Sequence, residues 1–199
     1  NAIADIVYNG LTSSFGVLFA AVFGLIYAPI VMTGLHHMTN AIDTTLTNMF
    51  GGTILWPMIA LSNIAQGSSV LAMAVLQKKD EKAQQINIPA LISCYLGVTE
   101  PALFGVNLKY GFPLICGMIG SAVAAVISVG CGVQAFSIGV GGLPGIISIK
   151  SQFWLAFLAA VAAAIIIPFV LTLLVGKRNC SKRKLLSSSR PKRKASIHQ

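Results

Sequence analysis

Four long uncharged stretches divide the chain, and shorter polar or broken segments separate them. The uncharged stretches cover residues 11–32, 51–76, 110–134 and 152–175. A helix of about 20 apolar residues spans the roughly 30 Å of hydrocarbon in a bilayer, because each residue adds about 1.5 Å. The pattern therefore predicts about four transmembrane helices.

Two segments between these helices are too short or too interrupted to cross. Residues 36–50 mix histidines, hydroxyls and amides with apolar residues, and residues 88–108 contain both Gly97 and Pro101. Irregular backbone at membrane depth is tolerated only where protein or a wet cavity satisfies its amide groups. We therefore expect re-entrant segments that line a cavity, within an all-α membrane protein.

The stretch at 51–76 differs from the other three because it is rich in polar side chains. It contains Ser62, Asn63, Gln66 and Ser68. Such groups are costly against lipid, so this helix is predicted to pack against protein or line water.

The positions of the charged residues predict how these elements are oriented. The loop 77–87 holds three lysines, which places it on the cytoplasmic side by the positive-inside rule, together with the basic end of the chain. The span at 110–134 then crosses away from the cytoplasm, and the span at 152–175 returns to it. Residues 88–108 must then leave and return on the same side, so they are predicted to form a hairpin rather than a full span.

Composition favours a membrane protein over a nucleic-acid-binding one. Of the 199 residues, 55% are hydrophobic and 10% are charged, whereas charged residues make up about 25% of a typical soluble domain. The net charge is +9, but residues 1–176 hold five lysines against five acidic residues. The whole excess lies in residues 177–199, and no nucleic-acid partner is expected.

This charge distribution predicts two parts, a membrane body at 1–176 and a basic tail at 177–199. The tail is polar and without periodicity, so it is predicted to be disordered on the cytoplasmic side. Its alternative roles are a positively charged cytoplasmic flank of the last span and a tether to anionic lipid; the remaining alternative is an incidental chain end without a function. The chain begins Asn-Ala-Ile-Ala, without methionine or a charged leader, and we expect it to be a piece of a longer protein.

Glu100 is the residue around which the candidate chemistry is organised. It lies in an apolar stretch, between Gly97 and Pro101, and has no opposite charge nearer in sequence than Lys109. A carboxylate at membrane depth costs several kcal/mol unless it faces a partner, a cavity or a substrate. Glu100 is therefore a candidate functional residue, and the alternative is a structural carboxylate that caps a helix.

The motifs of metal and nucleotide chemistry are missing from the sequence. His36 and His37 are adjacent rather than spaced as metal ligands, and the four cysteines fit no metal-binding or redox pattern. There is also no P-loop, which disfavours ATP-driven transport by this chain. We predict neither a metal nor another cofactor.

The polar groups at membrane depth suit a sugar, whose hydroxyls donate and accept hydrogen bonds and whose C–H faces are apolar. Residues 137–145, which hold four glycines and a proline, are either an outer connecting loop or a backbone surface pressed against solute. For His36 we expect a hydrogen bond to substrate or to the acid, and the alternative is a packing histidine; His37 is the weaker candidate. The predicted substrate-binding residues are His36, His37, Thr99, Glu100 and Asn107.

Two motifs resemble those of a known family. The run Gly-Leu-His-His-Met-Thr-Asn-Ala-Ile-Asp at 34–43 and the run Gly-Val-Thr-Glu-Pro-Ala-Leu-Phe-Gly-Val-Asn-Leu-Lys at 97–109 closely resemble the membrane (C) domain of sugar-specific enzyme II proteins of the bacterial phosphotransferase system, glucose superfamily. The residues that follow the two histidines are most similar to those of the trehalose-specific branch. The resemblance covers about residues 1–176.

The resemblance implies group translocation, which is sugar transport coupled to phosphorylation by phosphoenolpyruvate. A multi-pass protein of the bacterial cytoplasmic membrane would carry the sugar across the lipid bilayer and present a hydroxyl to a phosphocysteine on a phosphorylated B domain. His36 and Glu100 would hold sugar hydroxyls, with Glu100 as the candidate catalytic base. A desolvated carboxylate has raised proton affinity, and positioning supplies most of the acceleration.

The chain departs from the family pattern in what it lacks. The B domain and about five further spans are not in this sequence, and a homodimer is expected to form through that other half. The fragment alone is therefore expected to be inactive. The alternatives are a component for another disaccharide or β-glucoside such as sucrose or maltose, a proton-coupled sugar symporter, or a non-functional fragment.

Overall fold

The computed structural model describes residues 6, 9–13 and 15–188, with side chains described up to residue 178. Most of these residues are helical, and the loops between the helices hold isolated antiparallel bridges that join Thr53 to Ala135 and Ala135 to Ile149. The prediction of an all-α membrane protein is confirmed. The helices are α1 (Gly16–Met32), α2 (His36–Phe50), α3 (Leu55–Leu76), α4 (Glu81–Tyr95), α5 (Glu100–Ala102), a π-helical segment (Leu103–Asn107), α6 (Leu108–Tyr110), α7 (Phe112–Gly130), two 3-10 turns (Leu143–Ser148 and Ser151–Phe153) and α8 (Trp154–Ser188).

Three helices are long and apolar enough to cross a membrane, namely Leu55–Leu76, Phe112–Gly130 and Ser151–Arg178. They match three of the four predicted spans. The span predicted at 11–32 is shorter in the structure, where the apolar helix α1 has 17 residues. The chain bends before it at Ser13, whose backbone carbonyl accepts the Gly16 N–H at 2.9 Å.

Helix α3 forms the centre of the bundle, packed against α4, α7 and α8. In its most apolar window 78% of the residues are buried, against 22% in the last span. Its serines and amides, from Ser62 to Ser69, lie inside the protein. The prediction that this polar helix packs against protein is confirmed, because its side chains find partners there rather than facing lipid.

The hairpin predicted at 88–108 is present and is longer than expected, covering residues 81–110. Helix α4 runs to the tip, where Gly97 adopts a φ of +103°, and the chain returns through α5, the π-helical segment and α6. At the base, the side-chain amide of Gln77 donates to the Tyr110 hydroxyl at 2.7 Å. The start and end of the hairpin therefore meet at one end of the bundle, as the charge argument predicted.

The glycine-rich loop at 137–145 connects α7 to the 3-10 turns and also packs on the hairpin tip. A Cβ placed on Gly97 would lie 2.7 Å from the Cα of Gly141. Two backbones approach this closely only because both residues lack side chains. The loop is thus a connection and, at the same time, a backbone surface pressed against the hairpin.

Helix α8 corrects the prediction for the start of the tail. It continues past Gly176 to Ser188, so residues 177–188 are helical rather than irregular. Lysine, arginine and leucine are good helix formers, and extending an existing helix needs no new nucleus. The remaining residues of the predicted tail, 189–199, lie outside the described residues.

Candidate functional site

A cavity of about 200 Å³ lies where α1, α2, α3, the hairpin tip and the glycine-rich loop meet. Polar and aromatic side chains make up most of its wall. The lining residues are Tyr27, Val31, His36, His37, Asn40, Trp56, Ile59, Asn63, Gly97, Thr99, Glu100 and Gly141. Four of the five predicted substrate-binding residues are therefore brought together, although they lie about 60 residues apart in the sequence.

His36 and Glu100 face each other across the cavity. The distance between His36 Nε2 and Glu100 Oε1 is 3.5 Å, and the two side chains are 19% and 43% exposed. Each residue is the first of its helix, α2 for the histidine and α5 for the acid. The pair joins the two motifs of the sequence at one point and leaves the carboxylate partly open to a ligand.

The two nitrogens of His36 have different surroundings. Nε2 points toward the carboxylate, whereas Nδ1 is buried and has no hydrogen-bond partner in the described part of the chain. A neutral imidazole that donates from one nitrogen accepts at the other. The ring can therefore connect the acid to a second hydrogen-bonding group.

His37 lies beside His36 at the cavity wall. The centroids of the two rings are 4.1 Å apart and the rings are tilted by 37°. Adjacent residues on a helix point about 100° apart, yet both rings line the cavity because they stand at the start of α2. The structure thus brings the weaker candidate into the same site.

Thr99 lines the cavity but already uses its hydroxyl. It is 5% exposed, and Oγ1 donates to Asn63 Oδ1 at 2.8 Å. The Asn63 amide in turn donates to the Gly97 carbonyl at 3.3 Å, and the Cys94 thiol donates to the Asn63 carbonyl at 3.1 Å. These bonds tie the hairpin tip to α3.

Asn107 lies elsewhere. It is fully buried, and its amide donates to the carbonyl and the side-chain oxygen of Gln66, at 3.2 and 2.7 Å. In a regular α-helix, residues seven apart share a face, which would put Asn107 below Glu100. The π-helical segment Leu103–Asn107 lies between them, and its wider turn rotates the following residues. The structure does not bring Asn107 to the cavity.

Asn63 and Asn40 also line the cavity, although neither is among the five predicted substrate-binding residues. Asn63 was interpreted as one amide among several on a buried helix, and Asn40 belonged to a polar re-entrant segment. An amide in an apolar span is a usable signal, but residues 51–76 contain a second amide, Gln66, and several serines. Only the packing shows that Asn63 points at the hairpin tip.

The arrangement suits a polyhydroxylated ligand. A carboxylate, imidazoles and an amide offer both donors and acceptors, while Tyr27 and Trp56 add aromatic surface. Over the described ranges, no group of three or more histidine, cysteine or acidic side chains could hold a metal ion. The lining of the cavity offers hydrogen-bonding groups and apolar surface to a ligand.

A second, smaller cavity of about 130 Å³ lies at the other end of the hairpin. Lys82, Asn87, Lys109 and Tyr110 are among its lining residues, and none of the predicted site residues reaches it. This end carries the charged loop, so it is the end predicted to face the cytoplasm.

Comparison with known proteins shows the family. A family model described as "Phosphotransferase system, EIIC" matches residues 1–121. The chain is 50% identical over 178 residues to the trehalose-specific EIIBC component of Escherichia coli K12, covering 89% of this chain and 37% of that protein. It is 50% identical over 173 residues to the trehalose-specific EIIBC component of Bacillus subtilis 168, covering 84% and 36%.

A sucrose-specific relative is more distant. The EIIBC component of Pasteurella multocida Pm70 is 41% identical over 180 residues, covering 87% of this chain and 38% of that protein. No solved structure matches the chain. The chain spans little more than a third of the length of these relatives. The matched region contains both motifs and the His36–Glu100 pair, and the chain is an integral membrane protein that belongs to the phosphotransferase-system EIIC family.

Proposed function

We propose that this chain forms the sugar-binding part of a phosphotransferase-system permease that imports trehalose and couples its transport to phosphorylation. The observation that carries the proposal is the 3.5 Å approach of His36 to Glu100 inside one cavity. The relatives at 50% identity are trehalose-specific, and the sucrose-specific ones follow at 41%. Trehalose is therefore the proposed substrate, with sucrose as the nearest alternative.

Glu100 is the proposed catalytic residue. Its carboxylate accepts a hydrogen bond from the sugar hydroxyl that becomes phosphorylated, and it takes the proton as that oxygen attacks phosphorus. The new O–P bond forms while the S–P bond of a phosphocysteine on the B domain breaks. Phosphoryl transfer depends mainly on positioning and on stabilising charge, so one carboxylate that orients the attacking hydroxyl is sufficient on the acceptor side.

His36 is the proposed partner of that carboxylate and a ligand of the sugar. Its Nε2 faces Glu100, so the ring restricts the directions the carboxylate can take. His37 and Thr99 complete the same wall, Thr99 through its bond to Asn63. Asn107 stays a prediction from the motif, since its amide is engaged with Gln66.

The complete transporter needs components beyond this chain. We propose a phosphorylated B domain as the phosphoryl donor and a homodimer formed through the remaining half of the C domain, in the bacterial cytoplasmic membrane. The activity of that complex is that of a protein-Nπ-phosphohistidine–sugar phosphotransferase of the trehalose type. The relatives named EIIBC unite B and C components in one protein.

The test is sugar uptake by the complete transporter. Cells without other trehalose uptake would receive the full-length gene and be given labelled trehalose, sucrose or maltose. We expect trehalose phosphate to accumulate, to depend on phosphoenolpyruvate, and to exceed the products from the other two sugars. Free trehalose that accumulates with the proton gradient would instead show a symporter and would refute the proposal.

A further inference from the structure

Helix α2 carries both histidines of the cavity but is held to the protein by few residues. Of its 15 residues, only Thr39, Asp43 and Leu46 are buried. They lie on one helical face, three and four residues apart. The direction in which His36 points therefore depends on how this short face is fixed.

Asp43 makes the polar contact that holds this face. It is fully buried, and the hydroxyl of Thr53, which is 1% exposed, donates to Asp43 Oδ1. Asp43 thus contacts the segment that leads into α3, on the side of α2 that faces the bundle.

Thr53 connects three parts of the cavity wall. Its hydroxyl bonds Asp43 of α2 and also accepts the N–H of Leu55, the first residue of α3, at 3.1 Å. Its backbone exchanges two hydrogen bonds with Ala135, at 3.0 and 2.9 Å. Ala135 belongs to the segment that continues into the glycine-rich loop. One threonine therefore sets the positions of α2, α3 and that loop relative to each other.

The spacing of Asp43 and His36 transmits this position to the site. Residues seven apart on an α-helix lie about 20° from the same direction. If the bond between Asp43 and Thr53 fixes the rotation of α2, it also fixes the side of α2 from which His36 meets Glu100. A rotation of α2 by one residue, about 100°, would turn the imidazole out of the cavity.

Simple stabilisation does not explain a carboxylate at this place. Its second oxygen, Oδ2, is buried and has no hydrogen-bond partner among the described residues, which is costly. An apolar side chain of similar volume often holds buried elements together as well or better. A directed hydrogen bond, in contrast, specifies rotation, which apolar contact does poorly.

We propose that Asp43, acting through Thr53, is a positioning residue of the sugar site that sets the rotation of α2 and thereby the His36–Glu100 pair. This rests on the proposed function, because it takes the cavity of His36 and Glu100 to be the sugar site. Neither residue lines the cavity, so they act through His36 and not by touching the sugar.

The experiment uses the complete transporter and measures phosphoenolpyruvate-dependent trehalose phosphorylation at equal amounts of inserted protein. Thr53→Val removes the hydroxyl and keeps the shape, and Thr53→Ser restores the hydroxyl. Thr44→Val, on the exposed face of α2, is the matched control. We expect Thr53→Val to raise the half-saturating trehalose concentration about tenfold, whereas Thr53→Ser and Thr44→Val stay within about twofold of the wild type.

The decisive measurement is the combination of Thr53→Val with His36→Ala. If Thr53 acts by aiming His36, its substitution adds less than about twofold once the imidazole is gone, because effects on one shared interaction are not additive. A purely structural role would add the same factor in both backgrounds. That additive result, or an unchanged half-saturating concentration in Thr53→Val, would overturn the proposal.

Asp43→Asn keeps the inference testable if Thr53→Val fails to insert. The asparagine retains an oxygen that accepts from Thr53, so we expect a half-saturating concentration within about threefold of the wild type, and Asp43→Ala is expected to match Thr53→Val. An Asn variant as impaired as the Ala variant would show that charge and not the directed bond matters. A wild-type transporter that phosphorylates no trehalose would refute the proposed function instead, before any variant is compared.

Discussion

The two walls of the cavity are built differently. The hairpin tip, which carries Glu100, is bound to α3 through Asn63, which bonds both Thr99 and Gly97, and it packs backbone to backbone on the glycine-rich loop. Helix α2, which carries the histidines, is largely exposed and is held by one short face. The acid is therefore presented by a fixed element and the histidines by a lightly held one.

This difference has a physical consequence for a site that must both bind and release a sugar. Segments with few buried contacts open at lower free energy than segments tied by many. Movement of α2 would separate His36 from Glu100 without disturbing the bonds at the hairpin tip. Under the proposed function, the catalytic acid would lie on the fixed wall, and the wall that moves most easily would supply only sugar-binding groups.

The largest effect on activity is expected from substituting Glu100, the acid on the fixed wall. Glu100→Gln keeps the shape but removes the proton acceptor, so trehalose phosphorylation should fall by about 100-fold or more while the protein still inserts. The measurement is phosphorylation by membranes with equal amounts of transporter. Glu81→Gln, at the exposed start of α4, is the control and should behave as the wild type. Near-normal phosphorylation by Glu100→Gln would remove the acid from the mechanism.

A substitution at the hairpin tip should strain the fixed wall. Gly97→Ala adds a Cβ at φ +103° and within 2.7 Å of Gly141, so we expect a loss of about 3 kcal/mol in the stability of the purified complete transporter. Gly51→Ala is the matched control, because Gly51 has φ +67° but nothing within 4 Å of the added Cβ. It should cost only about 1 kcal/mol. Thermal unfolding of the two variants compares them, and equal Tm values would show that the Gly97–Gly141 contact is unimportant.

Removing the Asn63 side chain, which binds the hairpin tip to α3, is a second test of the fixed wall. Asn63→Ala leaves the Thr99 hydroxyl and the Gly97 carbonyl without their partner, which should cost about 2 kcal/mol of stability. Asn40→Ala, on α2, should alter trehalose affinity and leave Tm near that of the wild type, because Asn40 is exposed. If Asn40→Ala lowers Tm more than Asn63→Ala, the comparison between the two walls is reversed.

The smallest effect is expected on the lightly held wall. His36→Ala should raise the half-saturating trehalose concentration about tenfold, by removing one hydrogen-bonding group, with a smaller change in maximal rate. His37→Ala should have a weaker effect, since it is His36 whose Nε2 lies 3.5 Å from Glu100. Direct binding of labelled trehalose to membranes separates affinity from rate. Unchanged affinity in His36→Ala would reduce the histidine to a packing residue.

Several features of the fold and the site could be predicted from the sequence because each follows from the cost of polar groups in lipid. The hairpin follows from the charge parity of the loop at 77–87, and the buried position of α3 follows from its amides. The same argument marks Glu100 as a functional candidate. The polar character of His36 predicted a hydrogen bond to substrate or to this acid, and the resemblance of the two motifs pointed to the same residue.

Other features depended on details that the sequence pattern does not contain. Asn107 shares a motif with Glu100, but a π-helical segment rotates it toward Gln66. The first span was predicted to be longer than α1, because hydrophobicity does not reveal the turn at Ser13. The helical start of the tail was missed because charge and polarity are compatible with both a helix extension and disorder.

The sequence by itself determined which residues cannot rest in lipid, and therefore the class of the protein, its hairpin and the acid that needs a partner. Only the tertiary structure decided which polar groups meet. Periodicity specifies the face of a helix, but not its rotation against a neighbour, and that rotation separates Asn63, Asp43 and Thr53 from similar residues on the same helices. The pairing of His36 with Glu100 is a result of that packing.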